Sequence, residues 1–295
     1  MTVLVVGATG IVGESVCRLL RSRGESVRAL VRPGSAKEAT LRALGVEIIH
    51  GGFDSPDTID TACHGAHAVI STATAMGTKR KGNSLRRVDH DGQLALVAAA
   101  ARNQVGHFVF VSVPPRYTIR APLQRYKLAV EAAIRRSGMR WTILQPSAFM
   151  EVWISDLLGW NFADGRALVF GSGESPISYI SAHDVAAYCV QALSDPRLVD
   201  RDLPLGGPDA IAPNAVVKVF EAASGRPFTV RRVPRVIVAS LWPVVALFDE
   251  LAASGMSLGA YAANGDVIDS PVQREVALPL TSVRSYAERV LKAAG

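Results

Sequence analysis

The chain runs from four consecutive apolar residues, Val3-Leu4-Val5-Val6, straight into glycines at i, i+3 and i+6: Gly7, Gly10 and Gly13. Few patterns restrict a fold so strongly. A buried strand must turn into a helix within a few residues, and each glycine meets a separate demand: unusual φ/ψ in the tight turn, backbone bare of Cβ, and close packing of helix on strand. Val12, Val16, Leu19 and Leu20 follow at i, i+4, i+7 and i+8, the apolar stripe of a helix laid on a sheet. The first amide N–H groups of that helix lack intrahelical acceptors and sit at the positive end of its dipole. Gly7, Thr9, Gly10, Ile11, Val12 and Gly13 therefore outline a turn suited to a pyrophosphate.

Strand-like apolar runs recur at 3–6, 27–31, 46–49, 68–70, 108–111 and 141–144, and helical patterns separate them at 36–44, 56–63, 93–102 and 123–137. Alternation of this kind predicts an α/β fold with a doubly wound parallel sheet and crossover helices on both faces. Glycines at 24, 45, 65, 106 and 138 supply the helix stops. Beyond about residue 150 the pattern loosens: a Gly-bounded stretch at 165–173, a strand at 177–180, a helix at 184–193, then mixed short elements. The expected organisation is a nucleotide-binding domain over 1–150 and a smaller α+β substrate lobe over 151–295, set over the carboxyl ends of the strands.

At 295 residues and 49% hydrophobic content the chain can bury a sizeable core. Strand residues directly follow Met1, which predicts no targeting segment and a cytoplasmic protein. Cys17, Cys63 and Cys189 are odd in number and set in apolar surroundings, so they are expected to be reduced packing residues, and no metal-ligand spacing links them to the six histidines. A net charge of +6 admits an anionic partner. The densest basic run, Lys79-Arg80-Lys81 with Arg86 and Arg87, has no interleaved aromatic residues and reads as a solvated loop, so nucleic acid is not expected. The apolar run 236–248 holds Pro243 and is shorter than the ~20 residues a membrane span requires. It is read first as a helix lining an apolar substrate pocket or a subunit interface, and second as a peripheral membrane contact.

The second strand ends Leu30-Val31-Arg32, nineteen residues beyond Gly13. A carboxylate at that place binds the 2′-hydroxyl of NAD; a guanidinium instead suits a 2′-phosphate, with Ser35 and Lys37 within reach on the next turn. NADP(H) is therefore favoured over NAD(H).

With these residues in view, nearly the whole chain resembles the atypical short-chain dehydrogenase/reductase group, and in particular its NmrA-like members. The likeness rests on Gly7-Ala8-Thr9-Gly10-Ile11-Val12-Gly13, Leu30-Val31-Arg32, Val109-Phe110-Val111-Ser112, Lys127-Leu128-Ala129-Val130-Glu131, Ser137 through Pro146, Ile180 through Ala186, and Gly206-Gly207-Pro208. The resemblance implies a Rossmann-type fold in which Phe53 lies against the adenine and Ser71, Thr72 and Ala73 lie beside the cofactor ribose. It also implies that Ser112, Pro146 and Ser147 lie at the nicotinamide. Where the family often carries Asp before the position of Phe53, contacting adenine, this chain has Gly52, which implies either looser adenine recognition or compensation by Asp54.

The wider superfamily uses a tyrosine and a lysine four apart on one helical face. Lys127 matches the lysine, and the tyrosine's place holds Leu123. Tyr126 is one residue off and faces elsewhere on a helix. The proton donor is then Lys127 itself, or Ser112, Tyr117 or a bound water, or the substrate needs no positioned donor. The plainer reading of Lys127 is a surface pair with Glu131 at i, i+4. His183-Asp184 reads as a helix start, Asp184 being an N-cap or first-turn acid. Met150, Trp153, Leu157, Trp160 and Phe162 form an aromatic-rich group belonging to a core or a pocket wall. Together these readings imply an NADPH-dependent oxidoreductase, monomeric or homodimeric, that passes hydride to a small apolar carbonyl, quinone or activated alkene. The alternative is a non-catalytic NADP(H)-binding redox sensor or assembly factor.

Overall fold

The opening run Thr2–Val6 forms strand β1, and the glycine turn after it leads into helix α1 (Ile11–Ser22). The alternation continues through β2 (Ser26–Val31), α2 (Glu38–Ala43), β3 (Glu47–His50), α3 (Pro56–Cys63), β4 (Ala68–Ser71), α4 (Gly92–Arg102), β5 (His107–Val111), α5 (Pro122–Arg135) and β6 (Arg140–Pro146). Residues 1–77 and 83–294 are described by the structure, a computed structural model. The basic run at 79–81 lies outside them.

These strands lie in a seven-stranded sheet of order β3-β2-β1-β4-β5-β6-β8, with β8 spanning Arg201–Leu205. Every pairing from β3 through β6 is parallel. The chain winds outward from β1 to β3, returns, and winds outward again from β4. The strand order therefore reverses between β1 and β4, the place where ligands bind in open α/β sheets. β4 and β5 are buried along their whole length, as expected of strands covered on both faces. Leu4, Val69, Phe108 and Ile143 pack with Leu96 of α4 and Val130 and Ile134 of α5 in one apolar core.

The chain divides into two compact units. The first comprises Met1–Val113, Pro122–Gln145 and Val185–Leu203; the second comprises Pro114–Ala121, Pro146–Asp184 and Pro204–Gly295. In the second unit the Gly-bounded stretch 165–173 contains β7 (Arg166–Phe170), preceded by the short helix α6 (Met150–Trp153). After α7 (Ala182–Gln191), β8 and α8 (Pro213–Ser224), strand β9 (Thr229–Val233) pairs in parallel with β7. Helices α9 (Arg235–Val245), α10 (Glu250–Ala262), α11 (Pro271–Glu275) and α12 (Val283–Ala294) complete it. Residues 177–180, expected as a strand, are extended but make only single bridges, Ile177 to Ile211 and Asp266, and Ile180 to Phe149. Met150 and Trp160 are core residues, with Phe162 stacked on Phe220 at 5.2 Å between ring centres. Leu157 is exposed. Among the described residues no helix is long and apolar enough to cross a membrane.

All three cysteines are buried and unpaired. Burial, reinforced by the Glu14 charge, pushes the Cys17 thiol up to about 12, and burial reinforced chiefly by Asp60 does the same for Cys63. Neither is a ready nucleophile.

His107 opens β5, buried, with Nε2 3.0 Å from Thr142 Oγ1. The Thr142 hydroxyl donates to the Leu198 carbonyl at 2.7 Å, so the histidine Nε2 carries the hydrogen and donates. Burial first, and the Arg140 charge second, lower its pKa to about 4. The unfolded chain binds the proton near its ordinary 6.5, so it takes up more protons than the fold between these values. The contribution of His107 to stability is complete above pH ~6.5, falls as pH drops towards ~4 and is flat below that; it amounts to about 3 kcal/mol at most. Urea midpoints of parent and His107→Gln measured between these pH values test this: the parent should lose stability on acidification more steeply than the variant, and parallel curves would remove His107 as the cause.

Candidate functional site

Register places Val6 of β1 opposite Ser71 of β4, so the glycine turn and residues 72–73 leave the sheet side by side. The Thr72 N–H donates to the Val6 carbonyl at 2.9 Å. Gly7 has φ +90°, and a Cβ there would lie 2.7 Å from the Ala73 nitrogen. A Cβ at Gly13 would lie 2.2 Å from the Gly7 carbonyl oxygen, so α1 packs against the turn only because that side chain is missing. Gly10 differs. A Cβ there meets only the Gly7 oxygen, at 3.2 Å, and Gly10 and Ile11 are exposed. Gly10 is also the N-cap residue, with no side-chain cap on α1. The turn thus shows bare backbone and open helix N–H groups on one side, a cradle suited to phosphate oxygens.

Arg32, one residue past β2, donates from Nη1 to Asn83 Oδ1 at 2.6 Å. Its stem lies over Gly52, where a Cβ would come 3.3 Å from Arg32 Cγ and 2.9 Å from Asp54 Oδ1. The Asp54 carboxylate therefore stands beside the place where a side chain at 52 would begin. Lys37 is committed elsewhere: its Nζ donates to Glu14 Oε2 at 2.7 Å, and with Arg18 it lowers the Glu14 pKa. Phe53 is half-buried against Gly92, whose added Cβ would come 2.2 Å from the ring.

Lys127 is not a surface residue. It is 4% exposed, its Nζ donates to the Val111 carbonyl at 3.2 Å and lies 4.7 Å from the centre of the Phe110 ring. The fully buried Asp89 faces it, with Oδ1 at 3.4 Å from Nζ. The expected partner, Glu131, instead accepts the Ser112 hydroxyl on Oε1 at 2.5 Å and Arg135 on Oε2 at 3.1 Å. The surface-pair reading of Lys127 therefore falls. The other oxygen of Asp89 accepts the Ala75 N–H at 2.8 Å, while Gln93 accepts the Ser71 hydroxyl and donates to the Ala73 carbonyl at 3.0 Å. Two polar residues four apart thus pin the segment 71–75 that follows β4. Asp89 belongs to a π-helical turn, Arg86–Asp91, that widens the chain just before α4. Such turns gather at functional sites.

Of the expected proton donors, Ser112 spends its hydrogen on Glu131. Tyr117 is fully buried in the second unit, 2.5 Å from Ser257 Oγ, and burial pushes its phenol up to about 12. Leu123 is buried on α5. Tyr126 lies by the His90 ring, 5.1 Å between centres.

In the second unit Pro146 ends β6, and the hydroxyl of Ser147 donates to Asp266 Oδ2 at 2.7 Å. Tyr261 donates to the other oxygen of Asp266 at 2.6 Å. Asp184 does lie in the first turn of its helix, but its carboxylate holds Thr281 through both N–H and hydroxyl, at 2.7 and 2.9 Å. Glu151 instead accepts the Ala182 N–H that opens α7.

Asn83, Asp89, Gly92, Gln93 and Glu131 complete this arrangement. In the sequence Asp89 and Gln93 are only an acid and an amide four apart at the entry to the apolar run Leu94 through Ala101, a spacing too common to mark a site. Comparison with known proteins agrees with the architecture. The Photosystem II assembly factor Ycf39 of Synechocystis sp. is 29% identical over 301 residues, covering 98% of this chain and 90% of that one. The NAD(P)H azoreductase of Xenophilus azovorans is 31% identical over 230 residues, 76% and 74% of the two chains. The NADPH-dependent quinone oxidoreductase QOR2 of Escherichia coli, solved with NADPH, superposes with a TM-score of 0.74 at 19% identity, over 98% of this chain and 99% of that one. The model of the NmrA-like family matches residues 1–286, and the chain belongs to that family.

Proposed function

We propose that the chain is an NADPH-dependent oxidoreductase that passes hydride to a small apolar carbonyl, quinone or activated alkene. The observation that carries this reading is the buried Lys127–Asp89 pair, 3.4 Å apart between α5 and the π-helical turn, with Lys127 Nζ on the Val111 carbonyl at the end of β5 in the sheet whose switch point holds the open glycine turn. A cation that only decorated the surface would not be held this way. The names of relatives support the same direction, one being an NAD(P)H azoreductase and one fold neighbour an NADPH-dependent quinone oxidoreductase.

On this reading the N–H groups of Ile11 through Gly13 hold the pyrophosphate, that of Gly10 being spent on the Gly7 carbonyl at 2.9 Å, and Arg32 holds the 2′-phosphate, with Asn83 fixing the guanidinium. Phe53 takes the adenine, Thr72 and Ala73 the ribose, and Ser112, Pro146 and Ser147 the nicotinamide. The cofactor, when bound, supplies the hydride. The chain's own work is to orient, exclude water and deliver a proton. An ammonium has three donors; Val111 takes one, and Asp89 Oδ1 lies within ion-pair reach at 3.4 Å without accepting a hydrogen bond. The remaining donors serve the ribose hydroxyls and the substrate oxygen, which makes Lys127 the catalytic residue. The test is consumption of NADPH with quinones, enones and aldehydes, where activity with one class supports the proposal.

Arg32→Ala should weaken NADPH about ten- to a hundredfold and leave NADH unchanged, since a charge-assisted bond contributes ~1.5–3 kcal/mol. Thermal shifts with each cofactor read this directly, and equal losses for both would take the 2′-phosphate away from Arg32.

A second reading has a specific observation of its own. Leu123 stands where the superfamily's proton donor would, and the relative named an assembly factor matches nearly the whole chain. A non-catalytic NADP(H)-binding regulator would bind NADPH tightly and turn over none of the three substrate classes.

A further inference from the structure

Helix α9 is apolar on both of its faces. Val238 is buried on the side packed against α10, while Val236, Ile237, Leu241 and Val244 point outward, followed by Leu247 and Phe248 at the helix end. At about 100° per residue the four on the helix fall within one arc of its surface, broken only by Ser240, and Leu247 and Phe248 extend the apolar surface in the turn that follows. Val236 is 70% exposed, Leu247 77% and Phe248 87%. A helix apolar all round belongs in an apolar surrounding. Side chains this exposed do not line an enclosed pocket among the described residues; of the expected readings, a subunit interface or a membrane contact would cover them.

We propose that this face docks on an anionic lipid bilayer. Residues 226–248 hold four arginines, Arg226, Arg231, Arg232 and Arg235, and no acidic residue. The last three precede the apolar face directly and are exposed. Arg226 is occupied by the carbonyls of Phe162 and Ala163, and Arg232 reaches the Ser172 carbonyl at 2.6 Å. Arg231 and Arg235 present their charge outward. Acids appear only past the far end, where the carboxylate of Asp249 turns back to cap α10, accepting the N–H groups of Leu251 and Ala252. A basic approach joined to a projecting apolar tip is the arrangement of interfacial helices, in which apolar burial supplies insertion and arginines supply attraction to acidic headgroups. The face does not span the membrane; the side groups enter its surface.

Vesicle flotation of the full chain tests this, with phosphatidylcholine alone and with phosphatidylcholine mixed with phosphatidylglycerol. The chain should float with the mixed vesicles and far less with the neutral ones. Leu247→Ser combined with Phe248→Ser should lower partitioning about tenfold or more, and Arg231→Glu and Arg235→Glu each about fivefold. Unchanged melting temperatures of the variants separate these losses from misfolding. No flotation with anionic vesicles, or flotation that the double serine variant leaves intact, overturns the proposal. So does a dimer in solution that the same variant dissolves without any vesicle binding, which would assign the face to a second copy of the chain. None of these outcomes bears on the cofactor reading, which rests on none of the residues varied here.

Discussion

Gly13→Ala is expected to destabilise the fold by about 3 kcal/mol or more, whereas Gly10→Ala, three residues away in the same motif, is expected to leave the fold nearly as stable and remove cofactor binding. The difference lies in what each Cβ would meet. At Gly13 the added carbon comes 2.2 Å from the Gly7 oxygen and 2.7 Å from its carbonyl carbon. Both are backbone atoms pinned by β1, so no side chain can rotate away and α1 must move off the sheet. At Gly10 the only neighbour within 4 Å is the Gly7 oxygen at 3.2 Å, and exchanging Gly for Ala at an N-cap costs no more than about 1 kcal/mol. There the methyl group projects instead into the open side of the turn, where phosphate oxygens are proposed to lie. A ligand present at a hundred times its Kd adds about 2.7 kcal/mol to stability. Melting curves with and without NADPH therefore separate the two variants: Gly10→Ala should melt like the parent without cofactor and gain almost nothing with it. If Gly13→Ala also melts like the parent, close packing does not explain the third glycine. If Gly10→Ala keeps the full cofactor shift, the phosphates bind elsewhere.

These glycines were readable in the sequence because their chemistry is local. The strand, the turn and the helix are consecutive, and the same holds for β1 through β6, whose apolar runs are short, separate and bounded by turn residues. Arg32 and Lys127 were legible for a similar reason, each fixed by its distance from a motif. Their partners were not. Asn83 meets Arg32 across 51 residues and Asp89 meets Lys127 across a π-helical turn that no periodicity announces. A lone acid beside His90 and Asp91 looks solvated until the fold buries it. Glu131 shows the converse: its i, i+4 spacing from Lys127 is a legitimate local signal, overruled when β5 brings Ser112 within 2.5 Å. In the second unit β7 and β9 pair across more than fifty residues of intervening chain, with arginines on β9 that mask its alternation. Apolarity alone could not choose among the readings of α9, because composition does not distinguish a helix that other parts of its chain cover from one that faces outward.

Removing the Lys127 ammonium should affect the fold and the chemistry by separate routes, and a double variant can part them. In Lys127→Met the Asp89 carboxylate, fully buried, keeps only the Ala75 N–H and loses its counter-charge. Breaking a buried pair from one side costs about 3–5 kcal/mol, a fall in melting temperature of the order of 10 °C for a chain of this size. Asp89→Leu added to Lys127→Met removes the stranded charge, and apolar replacement of a buried pair is often neutral in stability. The double variant should recover much of the lost stability, less the anchor that Asp89 gives to the segment after β4. Activity should not return with it. If Lys127 holds the ribose and delivers the proton, kcat stays about 10²–10⁴-fold down in both variants, the range general acid catalysis contributes. Asp89→Asn completes the set, since it keeps the lysine and an acceptor while removing the negative charge; turnover close to that of the parent there would place the work in the ammonium itself. A double variant that is stable and fully active would instead leave the pair a structural element, and hydride transfer would then proceed with a donor from elsewhere or with none.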